Sequence, residues 1–260
     1  MGSGGDAPCS GGRSSGVRRG APVSGPAHPL AKVLDAVGRG VFPEPDGAVR
    51  IVGQPSVRDC GVIAFTAHSV VFADVDPAWA RDLLPDGDLS APLNPPFLSA
   101  LEERTERRVG NIDMLTVAGP LPGPPPVPLT EITDPAHPRV RRAMGYRDDV
   151  RVWRADGGIV LLGRGVAGRW EIAVEVDPGH RGRGLGARLA RAGRHLLAME
   201  TGAVPGEGSG EGPRAETAEG PALWAQIAPG NAASVRAFLA AGFTPVGAEA
   251  LLSPAPDAEE

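Results

Sequence analysis

Arg181, Gly182, Arg183, Gly184, Leu185, Gly186 and Ala187 follow a short apolar run, Val174-Glu175-Val176, that ends at Asp177-Pro178. Residues of these types in this order suit phosphate binding. The glycines free the backbone to turn. A helix starting there leaves about four N–H donors unpaired beside partial positive charge. Arg181 and Arg183 add two permanent cations. Three glycine-rich loops compete for this stretch. A Walker-type loop needs a Lys-Ser/Thr pair after its last glycine, and Ala187-Arg188 stands there instead. A dinucleotide fingerprint needs Gly-x-Gly-x-x-Gly near the start of a βαβ unit, whereas Gly182, Gly184 and Gly186 are spaced by two and lie late in the chain. The pattern Arg/Gln-x-x-Gly-x-Gly/Ala is met by Arg181, Gly184 and Gly186.

Downstream, Leu185, Leu189, Ala192, Leu196 and Leu197 recur at helical spacing, which predicts a helix with one buried face. A second segment follows: a strand from Leu223, Asn231 opening a helix, and Ala241-Gly242-Phe243 closing it. Asn231 suits an N-cap, and Gly242 suits a left-handed C-cap. Together the two segments resemble motifs A and B of the GCN5-related N-acetyltransferases. The resemblance implies an α/β fold with a mixed, mostly antiparallel central sheet flanked by helices. It also implies acetyl-CoA as cosubstrate and direct acetyl transfer to an amine in a ternary complex.

By the same resemblance, backbone N–H groups from Arg181 to Ala187 receive the pyrophosphate. Val174, Glu175 and Val176 pair with the pantetheine arm like an added strand, and Asn231 contacts that arm. Period-two alternation puts Glu171, Ala173 and Glu175 on one side of the strand. Glu171 lies nearest the position where some relatives carry a base, and it is also placed to pair with Arg169 or Arg181. Two positions depart from the family. Phe238 stands where many members place a Tyr, and Gln226 stands where some place a Glu. Tyr146 is the only tyrosine of the chain. These departures motivate an alternative function, a non-catalytic acyl-CoA-binding sensor.

The 260 residues exceed what one compact domain needs, and 28 prolines with 37 glycines predict long irregular segments. A net charge of −5 argues against a broad nucleic-acid-binding face. Cys9 and Cys60 show no zinc spacing, and the histidines form no His-Glu-x-x-His pattern, so no metal site is expected. Residues 1–28 lack a signal-type apolar core, and no 18-residue apolar run follows. A cytoplasmic protein without membrane or nucleic-acid partners is expected. Its acceptor would be a small-molecule or peptide amine, with a homodimer as one assembly open to it.

These residues need positioning elements. Residues 1–28 read as a disordered tail and 29–119 as a small α/β domain. That domain would hold strands at Cys60–Phe65, Ser69–Val75 and Ile112–Ala118. Its helices would open at Asp76-Pro77 (through Leu84) and at Asn94-Pro95 (through about Arg108). The proline run 120–128 reads as an extended linker. Residues 129–252 form the acetyltransferase domain, followed by a 253–260 tail. Within it are predicted a strand Leu129–Thr133, a helix from Asp134-Pro135 to Met144, and a hairpin of Val150–Arg154 with Gly158–Gly163. A strand Trp170–Val176 enters the glycine loop. The Arg139–Arg142 run reads as a solvated helix face. Residues 201–220, rich in Gly, Glu and Ala, read as a disordered insertion.

Overall fold

The computed structural model describes residues 27–203 and 220–254. The expected tail before residue 27, Cys9, nearly all of the expected 201–220 insertion and the last six residues lie outside them.

Helix α1 (Pro29–Gly38) opens the described chain. The His28 ring accepts from the Leu30 N–H, Pro29 fills the first turn, and Leu30, Leu34 and Val37 are buried along one stripe. Strands β1 (Val49–Val52), β2 (Gly61–Phe65) and β3 (His68–Phe72) follow. Asp76 caps α2 (Pro77–Asp82), accepting from the Ala78 N–H at 2.8 Å. Helix α3 (Pro95–Thr105) stops at Glu106, which takes a left-handed conformation. It is shorter than its apolar pattern suggests, and β4 (Arg107–Ala118) starts five residues earlier than the expected Ile112.

Strand β5 (Thr130–Glu131) is shorter than expected. The next helix, α4 (Pro138–Met144), is capped by His137, because Asp134 spends its carboxylate on a preceding turn, accepting from Ala136 N–H. Strands β6 (Asp148–Ala155) and β7 (Gly158–Arg164) form the expected hairpin, with Gly157 at φ +79° in the turn. Strand β8 (Trp170–Val176), helix α5 (Leu185–Thr201), strand β9 (Leu223–Ile227), helix α6 (Ala232–Ala240) and strand β10 (Thr244–Pro254) complete the order.

All ten strands join one sheet in the order β1-β3-β2-β10-β4-β9-β8-β7-β6-β5. Only the β1–β3 and β8–β9 pairs are parallel. The expected mixed, mostly antiparallel sheet is therefore observed. Strands from the expected 29–119 and 129–252 regions share this one sheet. Strand β4, from the N-terminal region, lies between β10 and β9 and gives hydrogen bonds to both. The 120–128 segment is a strap, not a free linker. Leu121 and Val127 are buried, Leu121 N–H donates to Arg194 O, and Arg194 Nε donates to Gly119 O. Proline removes donors and keeps the strap extended, but its apolar side chains still gain by leaving water.

Alternation assigns the faces. On β9, Leu223, Ala225 and Ile227 pack with α5 and α6, while Trp224 packs with α1. On β8, Ile172, Val174 and Val176 face α5, while Ala173 faces the cluster under α4.

Candidate active site

Strands β8 and β9 run parallel and pair only at Trp170–Leu223 and Glu171–Trp224. Beyond that point each continues on its outer neighbour: β8 follows β7 to Val176–Gly158, and β9 follows β4 to Ile227–Met114. The two strands thus splay apart. Residues 172–176 and 225–227 turn inner edges toward each other with no ladder between them. An extended ligand arm can hydrogen-bond such edges as an added strand would.

The glycine loop lies at the open end of this wedge. Pro178–His180 forms a short 3-10 turn, and Arg181 is extended. Gly182 and Gly184 both sit at φ +74°, a conformation costly for other residues, and a Cβ on either would meet nothing within 4 Å. The space in front of the loop is open. Gly184 caps α5 without any side-chain hydrogen bond, so the first N–H groups of the helix point into that space. Gly186 serves packing, since a Cβ there would lie 3.4 Å from Ala237 Cβ on α6. Arg181 Nε donates to Val176 O at 3.2 Å, folding over the end of β8.

These elements line a cleft of about 730 Å³. Val174, Glu175, Val176, Arg181, Gly182, Gly184, Leu185, Gly186, Ala187 and Asn231 all line it; Arg183 does not. Asn231 Oδ1 accepts from Ser234 N–H at 3.1 Å, so it caps α6 and borders the cleft at once. Phe238 also lines the cleft and stacks edge-on against Phe243 at 4.9 Å. No hydroxyl is present at that position. His180 was not singled out from sequence. It borders the cleft, its ring sits where a Cβ on Gly157 would be, and its buried Nδ1 has no hydrogen-bond partner among the described residues.

On the opposite face of β8, Glu171 and Ala173 line a second cavity of about 320 Å³. Its walls come from both halves of the chain. Arg58, Asp59 and Cys60 precede β2; Arg139, Arg142, Tyr146 and Arg147 belong to α4 and the loop after it; Gln226 belongs to β9. Arg107 holds the 57–58 turn in place, donating to the carbonyls of Val57, Arg58 and Leu252. The Arg139–Arg142 run is therefore not a purely solvated face, and exposed Tyr146 lines the same cavity. Their sequence signal was the same as that of any basic helix end.

The tentative base Glu171 belongs to an ion-pair network. It is buried, its Oε1 is 2.9 Å from Arg169 Nε, and Oε1 also accepts from Val166 N–H. Arg147 Nε approaches Oε2 at 2.9 Å as an ion pair, without hydrogen-bond geometry. Arg181, the other expected partner, is not part of it. Burial alone would raise the Glu171 carboxyl, but Arg169 and Arg147 outweigh it and hold the group below the usual range. Such a carboxylate is a weak proton acceptor. Arg169 also donates to Glu249 Oε2 at 2.7 Å, which accepts from Gln226 Nε2 as well. Burial pushes Glu249 up, and Arg169 offsets this only in part. Burial likewise pushes the Cys60 thiol up to about 11, which removes it as a nucleophile. Glu175, half-exposed, forms an ion pair with Arg139.

Two solved structures are similar to this chain. One is a GCN5-related N-acetyltransferase from Kribbella flavida, 18% identical with a TM-score of 0.35, covering 62% of this chain and 65% of that one. The other is a tandem GNAT protein from the clavulanic acid biosynthesis pathway, 13% identical with a TM-score of 0.36, covering 76% and 65%. Residue roles do not transfer at such identities, and the chain spans under two thirds of either protein. No family model matches the chain, and no curated protein matches it. The site stands on its own geometry.

Proposed function

We propose that this chain is a GCN5-related N-acetyltransferase that moves an acetyl group from acetyl-CoA to an amine in a ternary complex. The observation that carries this reading is the splay of β8 from β9, with the uncapped, glycine-opened start of α5 at its mouth. The coenzyme, when bound, supplies an activated acyl thioester. The fit is good: Gly182 and Gly184 face open space, and the start of α5 has no side-chain cap among the described residues.

In this reading the N–H groups from Gly182 to Ala187 hold the pyrophosphate, with Arg181 beside them. The inner edge of β8 at Val174–Val176 orients the pantetheine arm, and Asn231 borders it. The acceptor enters from the Glu171–Gln226 side. Its nitrogen forms a bond to the acyl carbon as the C–S bond breaks, and the proton lost by nitrogen balances the proton gained by sulfur. Phe238 cannot donate that proton, and both carboxylates lining the acceptor cavity are ion-paired. Water is then the proton carrier, and the protein contributes mainly by positioning.

Phe238 together with the paired Glu171 favours one second reading, an acyl-CoA-binding sensor without turnover. Release of free thiol from acetyl-CoA, measured across a panel of amines, separates the two. Amine-dependent release is expected. Tight coenzyme binding with no release on any amine would assign the sensor.

A further inference from the structure

Resting on the acetyltransferase reading, we infer that the acceptor is a small amine that also carries a carboxylate, held by Arg142 in the cavity beneath α4. Four arginines line this cavity, and three of them already have carboxylates. Arg58 pairs with Asp59 and Asp148, Arg139 with Glu175, and Arg147 with Glu171. Arg142 has no ion pair or hydrogen bond among the described residues. It stands one turn from Arg139 on the same helix face, where like charges destabilise each other. The effect is visible on Arg139, whose guanidinium is lowered by burial first and by the charge of Arg142 next. A carboxylate between them would relieve both.

The remaining lining gives the acceptor its shape. Ala143, Leu161, Val166, Ala173 and Leu251 make an apolar middle. Ala173 and Gln226 bring the cavity to the splayed strands, where the nitrogen must arrive. A volume near 320 Å³ lies at the small end of ligand sites, which suits an amino acid rather than a folded protein. The N-terminal half of the chain thereby acquires a role, since Arg58 and Asp59 close the cavity opposite α4.

The test compares amino acids with their decarboxylated counterparts: leucine with isopentylamine, phenylalanine with phenethylamine, 4-aminobutyrate with propylamine. Thiol release from acetyl-CoA is measured with the full chain and with Arg142→Gln. Wild type is expected to show a KM at least about tenfold lower for the carboxylate member of the pair it uses best. Arg142→Gln should erase that preference while keeping the wild-type melting temperature, because Arg142 is exposed and unpaired. A charge-assisted bond supports a change of this size. Equal use of both members by wild type, a preference that survives Arg142→Gln, or an aminoalkyl phosphate preferred over every carboxylate would each overturn the inference. Calorimetry with the same amino acids and coenzyme A bound distinguishes this from failure of acetyl transfer. Arg142-dependent binding without turnover would support the carboxylate site and reject the transferase reading; no such binding would reject the site.

Discussion

Replacing Gly184 with aspartate separates the binding role of the loop from its role in folding, because folding tolerates the change and phosphate binding does not. Gly184 sits at φ +74° and ψ 2° as the N-cap of α5. An L-residue in the left-handed region costs about 1–2 kcal/mol, least for Asn and Asp. Relative to glycine, an aspartate at an N-cap returns only a few tenths of a kcal/mol, and its charge at the helix start a further ~0.3–1 kcal/mol. A Cβ there meets nothing within 4 Å, so no clash adds to the cost. The free protein should therefore melt within a few degrees of wild type. Binding behaves otherwise. A carboxylate placed about 5 Å from a phosphate charge, at an effective dielectric near 20, opposes it by about 3 kcal/mol. Coenzyme A affinity should fall at least about 100-fold. Gly184→Ala carries the backbone strain without the charge, so it should lose about 1 kcal/mol of stability and much less affinity. Titration calorimetry with coenzyme A, alongside thermal unfolding of each free variant, reads both quantities. If Gly184→Asp stays folded and binds coenzyme A within threefold of wild type, the phosphate is not held at this loop.

Three other perturbations address the chemistry and the buried charges. Phe238→Tyr places a hydroxyl in the cleft where none exists; if thiolate protonation limits turnover, steady-state kcat should rise several-fold, and an unchanged kcat in a folded variant would show that it does not. Glu171→Gln takes the carboxylate from half-buried Arg147 and leaves buried Arg169 with Glu249 alone, and should cost about 3–5 kcal/mol in urea unfolding; a folded variant that instead loses kcat/KM with its acidic limb would support Glu171 as the base. Since the folded Glu171 value lies below its ordinary 4.5, the native state holds fewer protons in that window, so its contribution is present above about pH 4.5 and lost as pH falls through the folded value. Wild type should accordingly weaken as pH falls below about 4.5 more steeply than Glu171→Gln does. Gly165→Ala drives a methyl onto the Glu171 carboxyl; it should cost about 3 kcal/mol, and the double variant with Glu171→Gln should cost little more than either alone, whereas additive costs would show that the two act separately.

Much of the cleft beside the glycine loop was legible because it is local. The β8 and β9 boundaries match the sequence reading residue for residue, since apolar runs bounded by Pro, Gly and Asn leave little freedom. The glycine loop was legible for the same reason. Helix α1 was not, because a histidine caps it in place of Ser, Thr, Asp or Asn. The place of β4 between β9 and β10 depends on pairing partners more than 100 residues away, and alternation along one strand does not name its neighbours. The 120–128 strap misled because proline content reports backbone extension, not whether the segment packs. On the acceptor side, Arg169 was a visible neighbour of Glu171. Glu249, 80 residues further on, and Arg147, brought in by α4, were not. Arg58 and Arg142 carry no motif at all and acquire meaning only from the cavity they share.

The buried charges and the splay occur at one place, and that coincidence has a physical reading. Pairing between β8 and β9 ends at Glu171–Trp224, and there Arg169 reaches from the start of β8 across β9 and β4 to Glu249 on β10. Arg169 also lies over the Trp224 ring at 5.3 Å. A buried ion cluster of this kind gains little over well-packed apolar side chains, because desolvation offsets most of the Coulomb attraction. What apolar contacts lack is direction. Guanidinium–carboxylate contacts fix distance and angle, so Arg169 sets the start of β8 against β10 while the other end of β8 stays with β7. The wedge apex is thus held at a defined register, and the inner edges beyond it have to diverge. The cost falls on proton chemistry. Glu171 is lowered, Glu249 is buried away from the cavity lining, and the Gln226 amide N–H is committed to Glu249. On the proposed reading, a site built in this way positions its reactants and leaves deprotonation of the amine to solvent.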